Sequence, residues 1–371
     1  VKEPPLTRSH PAPRHGAHAG STVTVRAPAK VNLHLGVGPL RPDGYHDVIT
    51  VLQAVSLFDD LTATVPATAP GTPTTASTPT AVDQPGSDTS TGLEITVAVT
   101  GEGAAGNGPA TSTPDVSIVP TGLDNIAVRA AHLVAEAAGI TSARLHLALT
   151  KGIPVAAGMA GGSADAAAAL VACDALWQTG LDRATLAELA ARLGSDVPFP
   201  LAGGTALGTG RGEQLTDVLA TGEYHWVFAL ADGGLSTPAV YAEFDRLSEG
   251  RLRSGPTPAD DVLAALRTGD PRQLGAALVN DLQPAALRLR PALRRVLSTG
   301  TELGAVGAIV SGSGPTCAFL AAGATENIEL AASLAGMGVA RAVRRAAGPA
   351  AGARVVAGAG TGPVGPTGDG P

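Results

Sequence analysis

Residues 143–177, ARLHLALTKGIPVAAGMAGGSADAAAALVACDALW, decide how this chain is read. Leu145, Leu147 and Leu149 alternate as on a half-buried strand, and an Ala-rich helix starts near Ser163. Between them lies PVAAGMAGGSADA, whose glycines let the backbone approach oxygen atoms while the coming helix offers unpaired N–H groups. Strand, glycine loop and helix in this order make an anion cradle. The segment is not a P-loop, because the Gly-Lys pair of that motif occurs nowhere in the chain, and it lacks G-x-G-x-x-G. Taken alone it also reads as an ordinary strand-to-helix turn with small residues for close packing.

Outward from this segment the pattern stays regular. From Thr22, TVTVRAPAKVNLHLGV places Val23 and Val25, then Val31, Leu33 and Leu35, on one face of strands broken at Pro28, giving a first hairpin. HDVITVLQAVSLFDDLTATV reads as a further strand with Asp59 and Asp60 at a turn, and LEITVAV as another. Asp124 is placed to cap a helix that Gly139 closes, and DRATLAELAARLG gives a helix ending at Gly194. Beyond residue 220, YHWVFALAD is a strand, 259–299 are helices separated by Pro271 and Pro284, and AVGAIVSGSGPTCAFLAA is two strands around a glycine turn. The mixture is α+β. Residues 1–20 and 347–371, rich in Pro, Gly and Ala, read as tails, and 66–91, rich in Pro, Thr and Ser, as a flexible insertion. The folded body divides into an N-terminal domain, 21–215, and a C-terminal domain, 216–346.

Composition narrows the function classes. The 371 residues are 44% apolar, enough for a sizeable core, and the net charge of -7 argues against a broad footprint for nucleic acid or an anionic membrane. No apolar run approaches the roughly 20 residues of a membrane span, and the first twenty residues lack a signal-peptide core, so a cytoplasmic protein is expected. Cys173 and Cys317 sit far apart in apolar stretches and read as buried free thiols. The chain has 22 Arg but only three Lys, namely Lys2, Lys30 and Lys151. Lysine kept at two internal positions suggests places where a compact ammonium on a flexible stem matters.

Five motifs occur in order: APAKVNLHL, RPDGYHD, PVAAGMAGGSADAA, LGSDVPF and VSGSGPTC. Together they resemble the GHMP kinases, over Thr22 to Ala346 apart from the insertion. RPDGYHD with PAKVNLHL resembles in particular those members that act on a cytidine diphosphate-linked alcohol, rather than on homoserine, mevalonate or galactose. The resemblance implies a two-domain GHMP kinase architecture, with a ribosomal-protein-like α+β domain followed by a ferredoxin-like α+β domain. It implies ATP with Mg²⁺, a small-molecule cytidine diphosphate-linked substrate, and a monomer or homodimer; it assigns no metal ligand.

The same resemblance distributes roles. Asp196 becomes the base that accepts the hydroxyl proton, although an Asp two residues before Pro198 is equally a helix N-cap by spacing. Lys30 stands beside it and offsets charge on the transferring phosphoryl group, with Asn32 on the same strand face toward substrate. Tyr45 stacks on the cytosine, His46 reads its edge, and Tyr241 completes the sandwich; core packing is the alternative for either ring. Pro154, Gly158, Gly161, Gly162, Ser163, Asn125 and Lys151 fall to the nucleotide, with helix capping the alternative for Asn125 and Ser163 and a solvated strand end for Lys151. Gly312, Ser313 and Gly314 approach the substrate, or form a tight strand turn. Ala156, Ala157 and Ala160 stand where many relatives carry glycine, and any of them held in the left-handed region costs about 1–2 kcal/mol. Two further readings stay open: a GHMP kinase for a smaller alcohol, and a nucleotide-binding relative without turnover.

Overall fold

The β1 strand (Thr22–Leu40) and β2 strand (His46–Thr64) form one long antiparallel hairpin on which everything else is mounted. The computed structural model describes residues 18–67, 92–101, 119–155, 157–249 and 255–357. After the hairpin come β3 (Gly92–Gly101), α1 (Ile126–Ala138), β4 (Ser142–Lys151), α2 (Gly161–Trp177), α3 (Arg183–Leu193), α4 (Pro198–Ala202), β5 (Thr205–Thr209) and β6 (Gln214–Asp217). The second half runs β7 (Tyr224–Leu230), α5 (Thr237–Ser248), α6 (Asp260–Thr268), α7 (Pro271–Ala277), β8 (Val279–Asn280), α8 (Gln283–Leu289) and α9 (Ala292–Glu302). It ends with β9 (Gly307–Val310), β10 (Cys317–Ala321), α10 (Ala324–Gly336), β11 (Ala342–Gly348) and β12 (Arg354–Ala357).

One sheet has the order β12-β1-β2-β4-β3, with β5 joining β2 to β6 and β8 pairing with β1; the other has the order β11-β7-β10-β9. Helices pack on both, so the fold is α+β as expected. The Ala-rich α2 is buried almost all round, with Ala166 through Leu170 fully enclosed. A helix apolar on every side belongs inside a domain, and its methyl side chains let β1 and β2 lie close against it. The apolar cluster runs on without interruption from β1, β2 and β4 to Trp226, Phe228 and Leu230 of β7. Cys173 and Cys317 are both buried free thiols.

Three sequence readings need correction. Pro28 does not break the first strand: β1 passes through it, with a register shift between Pro28 and Ala29 that absorbs the missing donor as a bulge. The first hairpin is therefore β1 with β2. Asp59 and Asp60 are not at a turn but inside β2, opposite Ala27 and Arg26. Asp60 takes a two-pronged contact from Arg26 at 2.8 Å, and Asp59 is fully buried beneath the start of the glycine loop.

The third concerns the C-terminus, where 347–357 belong to the fold. Ala347 and Gly348 finish β11, Ala350 N–H donates to Ala54 O at 2.8 Å, and β12 pairs with β1. Small residues here serve backbone contact: a Cβ on Gly352 would stand 2.4 Å from Leu201 O, and one on Gly203 would stand 2.0 Å from Gly352 N. Residues 1–17, 68–91 and 358–371 of the expected tails and insertion lie outside the described residues. Lesser shifts are local. The cap of α1 is Asn125 rather than Asp124, α2 begins at Gly161, and Pro271 and Pro284 open helices, where a missing N–H costs nothing.

Trp226 and Gln53 are fully buried, and the indole Nε1–H donates to Gln53 Oε1 at 3.0 Å, tying the second sheet to the first. Gln53→Leu keeps the volume and orphans the indole donor, a loss of about 1–3 kcal/mol. A lowered denaturant midpoint at unchanged slope checks it.

Candidate active site

Strand alternation sends Lys30 and Asn32 to the side of β1 opposite Val31 and Leu33. A relay then fixes the ammonium: Lys30 Nζ donates to Asn32 Oδ1 at 2.6 Å, Asn32 Nδ2 to Thr50 Oγ1 at 3.0 Å, and Thr50 Oγ1 to His34 O at 2.8 Å. Burial pushes the Lys30 pKa down from its ordinary value, and the carboxylate of Asp196 pushes back up. The predicted partners are therefore near each other. Asp196 lies just before α4, whose N-cap is Val197 with no side-chain cap bond, so the capping alternative is not what it does.

Lys30, Asn32 and Asp196 line a cleft of about 790 Å³ together with Tyr45, His46, Tyr241, Gly312 and Ser313. Eight residues read separately from the sequence thus share one wall. Gly314 is not among the lining residues. A second cleft of about 420 Å³ is lined by Asn125, Lys151, Pro154, Gly161 and Gly162. Gly158 and Ala160 line both clefts and form the boundary between them. Ser163 is half-buried and lines neither.

The boundary is built by close backbone contact. Lys30 N–H donates to Met159 O at 3.2 Å, fastening the glycine loop to β1. Gly158 has φ +69, and a Cβ there would stand 2.8 Å from Ser311 O. On the far side, a Cβ on Gly312 would come within 3.3 Å of both Lys30 Nζ and Asn32 Oδ1, so the late glycine turn lies directly over the ammonium. Asn280 holds that turn, donating from Nδ2 to Val310 O at 2.7 Å and to Gly312 O at 2.8 Å.

The narrower cleft ends on the N-terminus of α2. Its N-cap, Ala160, brings no side-chain acceptor, so the first N–H groups of the helix are left for an anion, and the partial positive charge of the helix end favours one. Ala160 also occupies the left-handed region, φ 60 and ψ 36, so the feared strain is real at this alanine. Ala156 lies outside the described residues, and Ala157 is not among the positive-φ positions.

Lys151 is no solvated strand end. It is buried between Asp59 and Asp165, bonding Asp59 Oδ2 closely and Asp165 Oδ2 at 2.6 Å, and it also donates to Gly161 O at 3.3 Å. Asp59 Oδ1 accepts the N–H groups of Gly152 and Ile153 at 2.8 and 2.9 Å. Together the three side chains fasten both ends of the phosphate loop. Burial, reinforced by the charge of Asp59 and opposed by Lys151, pushes the Asp165 carboxyl up to about 8, and its Oδ1 has no hydrogen-bond partner. The trio is then close to neutral, one ammonium facing one carboxylate. Asn125 is committed too: its Oδ1 accepts from Ala127 N at 2.8 Å and its Nδ2 donates to Pro120 O at 2.6 Å, so it borders the smaller cleft as a helix cap.

At the other end of the wide cleft, His46 is buried and Tyr45 is exposed. Tyr241 lies 5.1 Å from His46 between ring centroids, tilted by 34°. Burial and the charge of Asp196 push the Tyr241 phenol up to about 12, so it stays neutral. The guanidinium of Arg211 sits 5.0 Å over the Tyr45 ring, within cation–π range. Arg211, Arg192, Thr50 and Asp245 also line this cleft and were not foreseen.

Residues 125–204 match the GHMP kinases N terminal domain, and 262–340 the GHMP kinases C terminal domain. The chain is 52% identical over 343 residues to the 4-diphosphocytidyl-2-C-methyl-D-erythritol kinase of Nocardia farcinica, covering 91% of this chain and 97% of that protein. The chain belongs to the GHMP kinases. The corresponding protein of Thermobifida fusca is also 52% identical, over 91% of this chain and 100% of its own. A crystal structure of 4-(cytidine 5'-diphospho)-2C-methyl-D-erythritol kinase superposes with a TM-score of 0.63 at 31% identity, covering 87% of this chain and 98% of that one. Homoserine kinase from Cytophaga hutchinsonii reaches a TM-score of 0.62 at 16% identity over 91% and 98% of the two chains, a likeness of fold alone.

Two stability measurements check the loop in this GHMP kinase. Ala160→Gly exchanges left-handed strain, about 1–2 kcal/mol, for the added chain entropy of glycine, about 0.5–1 kcal/mol. We expect a net gain of up to about 1 kcal/mol in thermal unfolding. Asp165 keeps its proton in the folded state up to about pH 8, whereas the unfolded chain releases it near the ordinary aspartate value of 3.8. Folding stability therefore falls as pH rises from about 4 to 8, and Asp165→Asn removes that part of the slope in melting temperature against pH.

Proposed function

We propose that this chain transfers the γ-phosphate of ATP to the 2-hydroxyl of 4-diphosphocytidyl-2-C-methyl-D-erythritol, a step of non-mevalonate isoprenoid precursor synthesis. One observation carries the reading. The two clefts meet at Gly158 and Ala160, and Lys30 and Asp196 stand on the larger side of that boundary. Cytidine-linked substrate fits the larger side, where Tyr45, His46 and Tyr241 gather at one end. ATP fits the smaller side, its phosphates on the N-terminus of α2. The division into two domains, 21–215 and 216–346, and action in the cytoplasm as a monomer or homodimer belong to the same proposal.

Asp196 orients the attacking hydroxyl and takes its proton late. A carboxylate of ordinary pKa about 3.9 does not strip a hydroxyl of pKa about 16 beforehand. In the loose transition state of phosphoryl transfer the proton leaves as the new P–O bond forms. Lys30, held by Asn32 and Thr50, offsets charge on the phosphoryl oxygens, and its depressed pKa is the electrostatic mark of a cation kept dry for that purpose. Mg²⁺, when bound with ATP, supplies further charge neutralisation between phosphates. The spare Asp165 oxygen and the uncapped helix end border the cleft where it enters.

The direct test is to incubate the protein with MgATP and 4-diphosphocytidyl-2-C-methyl-D-erythritol and look for the 2-phosphate by mass. Turnover of the alcohol regardless of its cytidine favours a kinase for a smaller substrate; ATP binding with no turnover of any alcohol favours a silent relative. Asp196→Asn should lower kcat by about 10²- to 10⁴-fold with the melting temperature preserved. Near-normal kcat in that variant removes Asp196 from the role of base.

A further inference from the structure

We infer that Asp245 selects a base bearing an exocyclic amine, making it a specificity-determining residue that discriminates cytosine from uracil. The inference rests on the proposed cytidine-linked substrate. His46 Nδ1 lies 2.9 Å from Gly38 O. A carbonyl only accepts, so the hydrogen of the neutral imidazole is on Nδ1 and the lone pair is on Nε2. That lone pair faces Asp245 Oδ2 at 3.5 Å. With the imidazole uncharged, two acceptors held this close repel unless a donor comes between them.

Among the described residues no donor lies between them. The described cations of this region are engaged elsewhere: Arg246 and Arg288 bond Glu243 at 2.7 and 2.9 Å, and of those lining the cleft Arg192 pairs with Glu136 at 3.3 Å and Arg211 with Glu213 at 3.8 Å. Among the described residues the polar neighbour of the Asp245 carboxylate is His46. Both side chains line the wide cleft, at the end where Tyr45 and Tyr241 offer their rings. A ligand edge seated there meets a pair of acceptors.

Nucleobase chemistry decides what fits. The 4-amino group of cytosine carries two N–H donors, matching two acceptors, and a carboxylate is a known kind of acceptor for that amine. Uracil presents a carbonyl oxygen at the same ring position, which both acceptors repel. A site built around unpaired polar groups rejects the wrong partner more strongly than an apolar pocket does, because its groups are left unsatisfied. Asp245 lies on α5, four residues after Tyr241, so one helix turn places both the stacking ring and the acceptor.

The test measures CDP and UDP binding to the full chain by calorimetry, for the wild type, Asp245→Asn and Asp245→Ala, with ATP affinity as a control on folding. It then compares phosphorylation of the cytidine-linked substrate with that of its uridine-linked counterpart. In Asp245→Asn an amide N–H faces the base, so the CDP to UDP affinity ratio should fall at least about tenfold, with UDP binding itself improved. Asp245→Ala should lower the ratio as well, weakening CDP and relieving the repulsion of UDP by less than Asp245→Asn does. A ratio unchanged in both variants, with CDP and UDP weakened together, overturns the inference and leaves Asp245 as a mere support for His46. Equal binding of CDP and UDP by the wild type overturns it as well. A wild type that prefers CDP but phosphorylates neither substrate removes the kinase reading and leaves the base discrimination standing.

Discussion

The structure turns on burying one ammonium. Lys30 is taken out of water on a strand whose buried side chains are mostly apolar, an arrangement that burial alone opposes. It is held by a relay through Asn32 and Thr50 to a strand carbonyl, and by the field of Asp196 across the cleft. Two glycine loops, distant in sequence, close over it: Gly158 is bare where the backbone of the later loop passes, and Gly312 where Lys30 and Asn32 reach it. Any side chain at Gly312 would displace the ammonium or its asparagine. The two motifs are thus one construction around a single charge, and neither the N-terminal strand nor the C-terminal turn makes the site without the other.

A second buried charge does mechanical work nearby. Lys151 joins the end of β4 to β2 through Asp59 and to α2 through Asp165, so the loop between them is fastened at its start and finish. A phosphate loop of small residues has little packing of its own, and rigidity must come from what its ends grip. Carboxylates that bind backbone N–H groups supply it. The chain's scarcity of lysine becomes intelligible: both internal lysines sit where three donors on a flexible stem reach partners that a planar guanidinium would not fit.

The limits of sequence reading follow from the same physics. Alternation in β1, the capped and glycine-closed helix after Asn125, and the strand-loop-helix around the glycine loop were all legible, because each is written in neighbouring residues. Pro28 misled because a bulge in a long hairpin tolerates a residue that ends an isolated strand. The Gly- and Ala-rich end misled because small residues mark two opposite conditions: chain too polar to order, and backbone packed too tightly for side chains. Composition does not separate them. In the site, eight of the motif residues came together in one cleft, whereas Asp59 was read as a turn residue and Asp165, Asp245 and Arg211 escaped notice. Their importance lies in partners far along the chain, such as His46 for Asp245 and Lys151 for Asp59, and no local spacing encodes that.

Ala160 shows how function overrules local preference. An alanine in the left-handed region at the head of α2 costs stability, and the position has no side chain to cap the helix it starts. A serine or aspartate there would satisfy one of the free N–H groups and remove it from service as an anion donor. Glycine would relax the strain but loosen the boundary that Ala160 and Gly158 make between the two clefts. A methyl group is the smallest side chain that narrows the loop's conformations while leaving every backbone donor open. The strain at this residue therefore accompanies a helix end that no side chain satisfies.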